Sequence, residues 1–190
     1  MRVVLASRNA HKVVEVRRIA PHVEWVALPE ELGDPPETGD TFEANALEKA
    51  RYVFERTGML ALADDSGLEV DALGGRPGVR SKRYSPEATD AANNALLLRE
   101  LGERTDRTAR YRCVIALVGP GVARTASGAC EGAIGGEARG SHGFGYDPYF
   151  VPAGHTRTMA ELTPAEKDAI SHRGAALAHL DRLLEGVVPG

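Results

Sequence analysis

An α/β fold is predicted for this 190-residue chain: a mixed, twisted central sheet flanked by helices, in two lobes around a deep cleft. Three observations predict it. A short apolar run at the N-terminus passes through a polar turn into an amphipathic helix, the rhythm of a sheet covered by helices. Two longer strand-like runs meet at Gly119-Pro120-Gly121 and read as a hairpin, which adds an antiparallel part. Between them a buried strand, Leu60-Ala61-Leu62-Ala63, runs into Asp64-Asp65-Ser66-Gly67. Ligands of α/β proteins bind beyond the carboxyl ends of such strands. Two carboxylates there suit a hard cation such as Mg²⁺, which is held by one or two carboxylates plus substrate phosphates. The same pair reads equally as turn formers where a strand ends.

Composition bounds the rest. The length fits a single domain, 1–190, able to bury a sizeable core. A net charge of −4 disfavours a protein that coats nucleic acid, whose domains are basic. No apolar run reaches the roughly 20 residues of a membrane span. The N-terminal run is too short for a signal peptide. The only cysteines, Cys113 and Cys130, lack metal-ligand or disulfide-framework spacing, which points to the cytoplasm. None of the six histidines has a His-x-x-x-His partner, so zinc is not expected.

In chain order, Val3 to Ala6 is the first strand. Ser7-Arg8-Asn9-Ala10 turns into a helix that carries Lys12, with Val13, Val16 and Ala20 on one face and Glu15, Arg17 and Arg18 elsewhere. This geometry aims free N–H groups and the positive helix end at an anion. An isolated turn of this kind is more often an N-cap beside a solvated lysine. No Gly-x-x-x-x-Gly-Lys-Ser/Thr occurs, so it is not a Walker loop. Trp25 to Leu28 is a second strand, and Pro29 to Gly39 an acidic, Pro-rich loop with Glu30, Glu31, Asp34 and Glu37. A capping-box start at Asp40-Thr41-Phe42-Glu43 opens a helix that ends near Gly58. Its spacing puts Leu47, Ala50 and Phe54 inward, with Asn45, Lys49 and Tyr52 on a polar stripe.

Past the Ser66-Gly67 turn, Leu68 to Leu73 reads as a further strand, followed by a glycine-rich loop and the basic run Arg80, Lys82, Arg83. Pro86 to Leu101 is a helix, and Arg110 to Val118 with Val122 to Cys130 form the hairpin, both cysteines inside it as small hydrophobes. Gly132 to Gly145 is loop-like and closes on Gly143-Phe144-Gly145-Tyr146-Asp147-Pro148. An aromatic residue between glycines lets the backbone approach a flat ligand and stack a ring on it; a tight turn with Phe144 buried is the other reading. Thr163-Pro164-Ala165-Glu166 starts a helix with cap, Pro and Glu in order. Ser171-His172-Arg173 stands at the start of the last helix, whose Leu177, Leu180 and Leu184 face inward.

Together Ser7-x-Asn9-x-x-Lys12, Glu37-Thr38-Gly39, Phe42-Glu43-x-Asn45-Ala46-x-x-Lys49-Ala50, Ala63-Asp64-Asp65-Ser66-Gly67-Leu68, Gly143 to Pro148 and Ser171-His172-Arg173 resemble the inosine triphosphate pyrophosphatase family, in order and over essentially the whole chain. The resemblance implies a nucleotide-binding cleft and Mg²⁺-dependent hydrolysis of non-canonical purine nucleoside triphosphates (ITP, dITP, XTP) to the monophosphate and pyrophosphate. It also implies a cytoplasmic homodimer with no nucleic-acid polymer or membrane as partner. By the resemblance, Ser7, Arg8, Asn9, Ala10, His11 and Lys12 form the triphosphate loop. Asp65 is the catalytic carboxylate and a metal ligand, Glu37 the second metal acid, and Lys49 the catalytic lysine reaching the phosphates. Ser66 contacts substrate, and Phe144, Gly145, Tyr146, Asp147, Lys167, His172 and Arg173 line the nucleoside pocket. Ala44 departs from the pattern, since a second Glu often follows Glu43; the position is expected to face solvent.

Three alternatives stand beside this. A same-fold pyrophosphatase acting on other modified nucleotides would not call for the Ser171-His172-Arg173 and Phe144-to-Asp147 matches. An aspartyl-nucleophile phosphatase would want Asp-x-Asp after its first strand, which is absent. A non-catalytic nucleotide-binding module could dispense with Asp65.

Overall fold

The computed structural model describes residues 1–187. A six-stranded mixed sheet has the order β2-β1-β3-β4-β5-β6, with β1 Arg2–Leu5, β2 Glu24–Ala27, β3 Ala61–Val70, β4 Thr108–Gly119, β5 Val122–Ile134 and β6 Phe150–Pro152. β1 lies parallel to β2 and to β3, in register at Val4 with Ala61 and Leu5 with Leu62. β5 and β6 are antiparallel, Ala133 facing Val151. The helices are α1 Ala10–Ile19, α2 Phe42–Thr57, α3 Asp90–Leu101, α4 Pro164–Ile170, α5 His172–Leu177 and α6 Leu180–Leu184. No helix among the described residues is long and apolar enough to cross a membrane.

The chain divides into two compact units. Unit 1 comprises Met1–Asp65, Cys113–Gly128 and the C-terminal stretch from Arg173; unit 2 comprises Ser66–Arg112 and Ala129–His172. Within unit 1, Val3, Leu5, Leu62, Ile115 and Leu117 from the strands pack against Val16 of α1 and Leu177, Leu180 and Leu183 of α5 and α6. Within unit 2, Leu68 and Val70 meet Leu97 and Leu101 of α3, Phe150, Met159 and Leu162. Each such aliphatic side chain taken out of water contributes about 1.5–3 kcal/mol, so each unit has a core of its own to hold its polar groups in place. Cys113 and Cys130 are buried thiols in the hairpin, as their apolar surroundings predict.

Four local expectations need correction. β3 does not end at Asp64-Asp65, and Ser66-Gly67 is not a turn; the strand runs on to Val70, because both carboxylates find partners within the fold and need no turn to solvate them. α2 is capped by Thr41, whose hydroxyl accepts from the Ala44 N–H at 3.1 Å; position N3 is therefore Ala44 and no reciprocal box forms. Its buried face is Phe42, Asn45, Ala46, Lys49, Ala50 and Val53, with Leu47 and Phe54 only half-buried. α3 begins at Asp90 rather than Pro86: Ala88 sits at φ 52°, which no helix accommodates, and Thr89 caps the helix through the Ala92 N–H. Ala44 is exposed, as expected. At α4 the reciprocal Thr163–Glu166 capping box forms as its sequence predicts.

Candidate active site

Unit 1 gathers its charged groups on β3. Consecutive strand side chains point to opposite faces, so Asp64 and Asp65 serve different partners. Asp64 receives the Lys12 ammonium at 3.1 Å and two guanidinium nitrogens of Arg173 at 2.9 and 3.3 Å. The remaining arm of Arg173 donates to Glu15, which is itself buried on α1. Arg173 is 0% exposed. This residue, assigned to the nucleoside pocket by the resemblance, has its guanidinium enclosed against Asp64 and Glu15, where it braces the carboxylate strand.

Asp65 receives a 3.0 Å bond from Asn45 Nδ2 on one oxygen and the Lys49 ammonium at 3.5 Å on the other. Asn45 and Lys49 are four apart on α2 and thus share a face. The Lys49 ammonium also lies 2.6 Å from Glu37 Oε1, so one cation joins the two acids. Asn45 Oδ1 accepts the Gly39 N–H at 2.8 Å, fixing the end of the loop that brings Glu37 in. The polar stripe of α2 is therefore not a solvated face.

Electrostatics separate the two aspartates. Burial alone would push Asp64 up, but Lys12, Arg173 and Lys49 outweigh it and hold the carboxyl well below the usual carboxylate range. For Asp65, burial is the dominant influence and Lys49, Lys12 and Asn45 only partly offset it, so its carboxyl sits above the usual value. Burial also works against the charge of Lys49, yet Asp65, Asp64 and Glu37 together keep its ammonium above the ordinary lysine value. One acid is locked as an anion, while its neighbour is desolvated and more basic. Groups that differ in this way beside each other mark functional sites.

The first turn is only partly as expected. Asn9 caps α1, its oxygen accepting the N–H groups of His11 and Lys12 at 3.0 and 3.2 Å, so those donors are not free for an anion. Arg8 turns away to hold the acidic loop, donating to the carbonyls of Gly33, Pro29 and Glu30 at 3.0, 2.7 and 3.1 Å. Ser7 is half-buried and its hydroxyl accepts from the Asn9 N–H; Ala10 and His11 are exposed.

Unit 2 is organised around Asp147. One carboxylate oxygen accepts from Tyr111 at 3.0 Å; the other accepts from Lys167 at 2.6 Å and from the Phe144 N–H at 3.0 Å. The loop must be glycine at 143: a Cβ there would stand 2.0 Å from that second oxygen. Lys167 Nζ lies 4.8 Å from the Phe144 ring centre, a cation–π distance. The His172 ring stacks on Tyr111, centroids 4.7 Å apart and planes within 14°. Burial, then Asp147, pushes the Tyr111 phenol well up, which keeps it a neutral donor. Ser66 is half-buried on β3 in the same unit. Tyr146 packs in the unit 2 core and donates its hydroxyl to the Ser81 carbonyl at 2.8 Å.

Sequence reasoning thus named Asp65, Lys49, Glu37, Lys12, Phe144, Asp147, Lys167 and His172 as groups that do come together, in two sets. It missed Asn45 as a partner of Asp65, Glu15 as a partner of Arg173, and Tyr111. A buried acid such as Glu15 looks like any helix-surface glutamate in a sequence. Among the described residues no three His, Cys, Asp or Glu side chains converge into a cation cage.

The Ham1 family model matches residues 3–183. A protein of Frankia alni described as dITP/XTP pyrophosphatase is 53% identical over 99% of both chains. One of Mycobacterium tuberculosis with the same description is 48% identical over 100% of this chain and 98% of its own. Among solved structures, a HAM1 protein of Coxiella burnetii superposes with a TM-score of 0.89 at 43% identity, covering 98% of this chain and 100% of that one. The Ham1 protein of Staphylococcus aureus gives 0.88 at 39% identity, covering 98% and 99%.

Proposed function

The chain belongs to the Ham1 family, and we propose that it hydrolyses non-canonical purine nucleoside triphosphates, ITP, dITP and XTP, to the monophosphate and pyrophosphate. The observation that carries the catalytic part of this reading is the lysine bridge: Lys49 between Glu37 and Asp65, with Asp65 desolvated beside it.

The triphosphate is assigned to the set in unit 1. A triphosphate carries about four negative charges, which cations must offset before a nucleophile approaches. Lys12 and Lys49 supply two of them. Mg²⁺ fits the donors present, since Glu37 and Asp65 are hard oxygen ligands and two carboxylates completed by phosphate oxygens are its usual protein site. When bound, it would neutralise phosphate charge and stabilise the leaving pyrophosphate. Asp65 orients a water in line with the α-phosphorus and takes its proton, a role served by a carboxyl raised above its ordinary value. Asn45 holds the Asp65 oxygen it binds and so fixes the direction of the other.

The base is assigned to the set in unit 2. Phe144 offers a ring for stacking. The Lys167 ammonium has only donors, so it favours the 6-oxo acceptor of hypoxanthine and xanthine over the 6-amino donor of adenine. Mispairing one buried donor costs about 1–3 kcal/mol, enough to discriminate. We further expect a homodimer in the cytoplasm; two buried free thiols suit that compartment.

The test is pyrophosphate release from ITP, dITP, XTP, GTP and ATP with Mg²⁺ and with excess chelator. Strong turnover of the first three, weak turnover of the others and loss with chelator are expected. Equal turnover of ATP would refute the base assignment, and full activity in chelator the metal assignment.

A further inference from the structure

The loop from Phe144 to Asp147 is held by more than Asp147. Phe144 donates its N–H to the Asp147 carboxylate, and its carbonyl accepts the Asp147 N–H at 3.3 Å. The next two backbone groups are taken by the N-terminal end of α3. The Gly145 N–H donates to Asp90 Oδ2 at 2.7 Å, and the Gly145 carbonyl accepts from Asn94 Nδ2 at 2.8 Å. Asp90 and Asn94 are four residues apart and so lie on one helix face. Asn94 Nδ2 also donates to the Asp90 carbonyl at 2.8 Å, which ties the two clamp residues together. Both bonds of Asn94 go to carbonyls, so its amide orientation is settled, and the residue is 7% exposed.

The clamp acts on an unusual backbone. Gly145 has φ 63°, a left-handed conformation, and both peptides that flank it are gripped, one by Asp90 and one by Asn94. The peptide held by Asp90 is the one that follows Phe144, so it sets where the Phe144 ring stands.

We propose that Asp90 and Asn94 are positioning residues for nucleoside recognition, fixing the Gly145 peptides so that Phe144 is presented to the base. The inference rests on the assignment of Phe144 to the base, made above. The two act through Gly145 and do not touch the substrate. Their loss therefore weakens binding of the base without slowing the chemistry at Asp65.

Steady-state kinetics with ITP on Asp90→Ala, Asp90→Asn, Asn94→Ala and Phe144→Ala test this, with melting temperatures taken alongside. Asp90→Ala is expected to raise KM about tenfold, the scale of one charge-assisted hydrogen bond, with kcat within about twofold of the parent. Asp90→Asn keeps an oxygen acceptor for the Gly145 N–H and is expected to restore KM. Asp90 is exposed, so its variants remain folded even if Asn94→Ala does not. A raised KM in Phe144→Ala with unchanged KM in Asp90→Ala would overturn the clamp alone. Unchanged KM in Phe144→Ala would overturn the assignment of Phe144 and the clamp with it. Equal losses in Asp90→Ala and Asp90→Asn, tracking the melting temperature, would reduce Asp90 to a helix-stabilising role and overturn the proposal.

Discussion

Asp65→Asn is expected to lower kcat for ITP by about three orders of magnitude, the scale of a lost general base. The substitution is nearly isosteric and keeps an oxygen to accept from Asn45 Nδ2, so the fold is preserved and the loss is chemical. What disappears is the anionic, desolvated oxygen facing Lys49, which is the group able to take a proton from water. Binding of the triphosphate through Lys12 and Lys49 survives, and removing one carboxylate even relieves some repulsion. The expected signature is therefore a collapse in kcat with a substrate Kd that does not rise. Single-turnover rates and equilibrium binding of ITP to the variant check both halves. A loss below tenfold would leave Asp65 without the central role assigned to it.

Arg173→Met is expected to cost about 3–5 kcal/mol of stability, the penalty for stranding buried charges by removing their partner. Arg173 is fully enclosed and satisfies Asp64 and Glu15 together. Without it Asp64 loses two guanidinium bonds while keeping Lys12 at 3.1 Å, and Glu15 loses its guanidinium partner. For a domain of this size the loss corresponds to a fall in melting temperature of about 10 °C. The effect depends on pH in a defined direction. Because the Asp64 carboxyl is held below its ordinary value of 3.8, its contribution is complete above that value and is lost only as pH falls through the depressed folded value. The gap between parent and variant is therefore full at neutral pH and narrows in acid, because Asp64 without Arg173 takes up a proton before Asp64 of the parent does. Calorimetry across that range checks it; a gap of 2 °C or less would show that Asp64 and Glu15 are satisfied without Arg173, by roughly the arithmetic of stability against melting temperature.

These two residues also mark what a sequence discloses. Asp65, Lys49 and Glu37 were legible because their spacing follows a family pattern, and Lys49 on α2 joins Glu37 of the preceding loop to Asp65 of β3. Arg173 was legible as a residue that matters, yet its place was not. Nothing local distinguishes an arginine that meets a ligand from one whose fork closes on Asp64 and on Glu15, 158 positions away. The inward face of α2 was misjudged for a related reason. Asn45 and Lys49 are buried because Asp65 receives them, and a hydropathy pattern cannot tell a buried polar stripe from a solvated one. The reading of Ser66-Gly67 as a turn failed likewise: small polar residues after two aspartates usually end a strand, but here the partners of both carboxylates lie beside β3 and pairing continues. Tyr111, Asp90 and Asn94 were unreadable, since each matters only through contacts 36 to 55 residues distant.

The measurement that bears most directly on the account is product analysis after turnover of ITP in ¹⁸O-enriched water. Attack of water on the α-phosphorus predicts that the label appears in inosine monophosphate and that unlabelled pyrophosphate is the other product. Label in orthophosphate, with inosine diphosphate remaining, would place the attack at the terminal phosphorus and contradict the assignment of Asp65 and Lys49 to cleavage at the α-phosphorus.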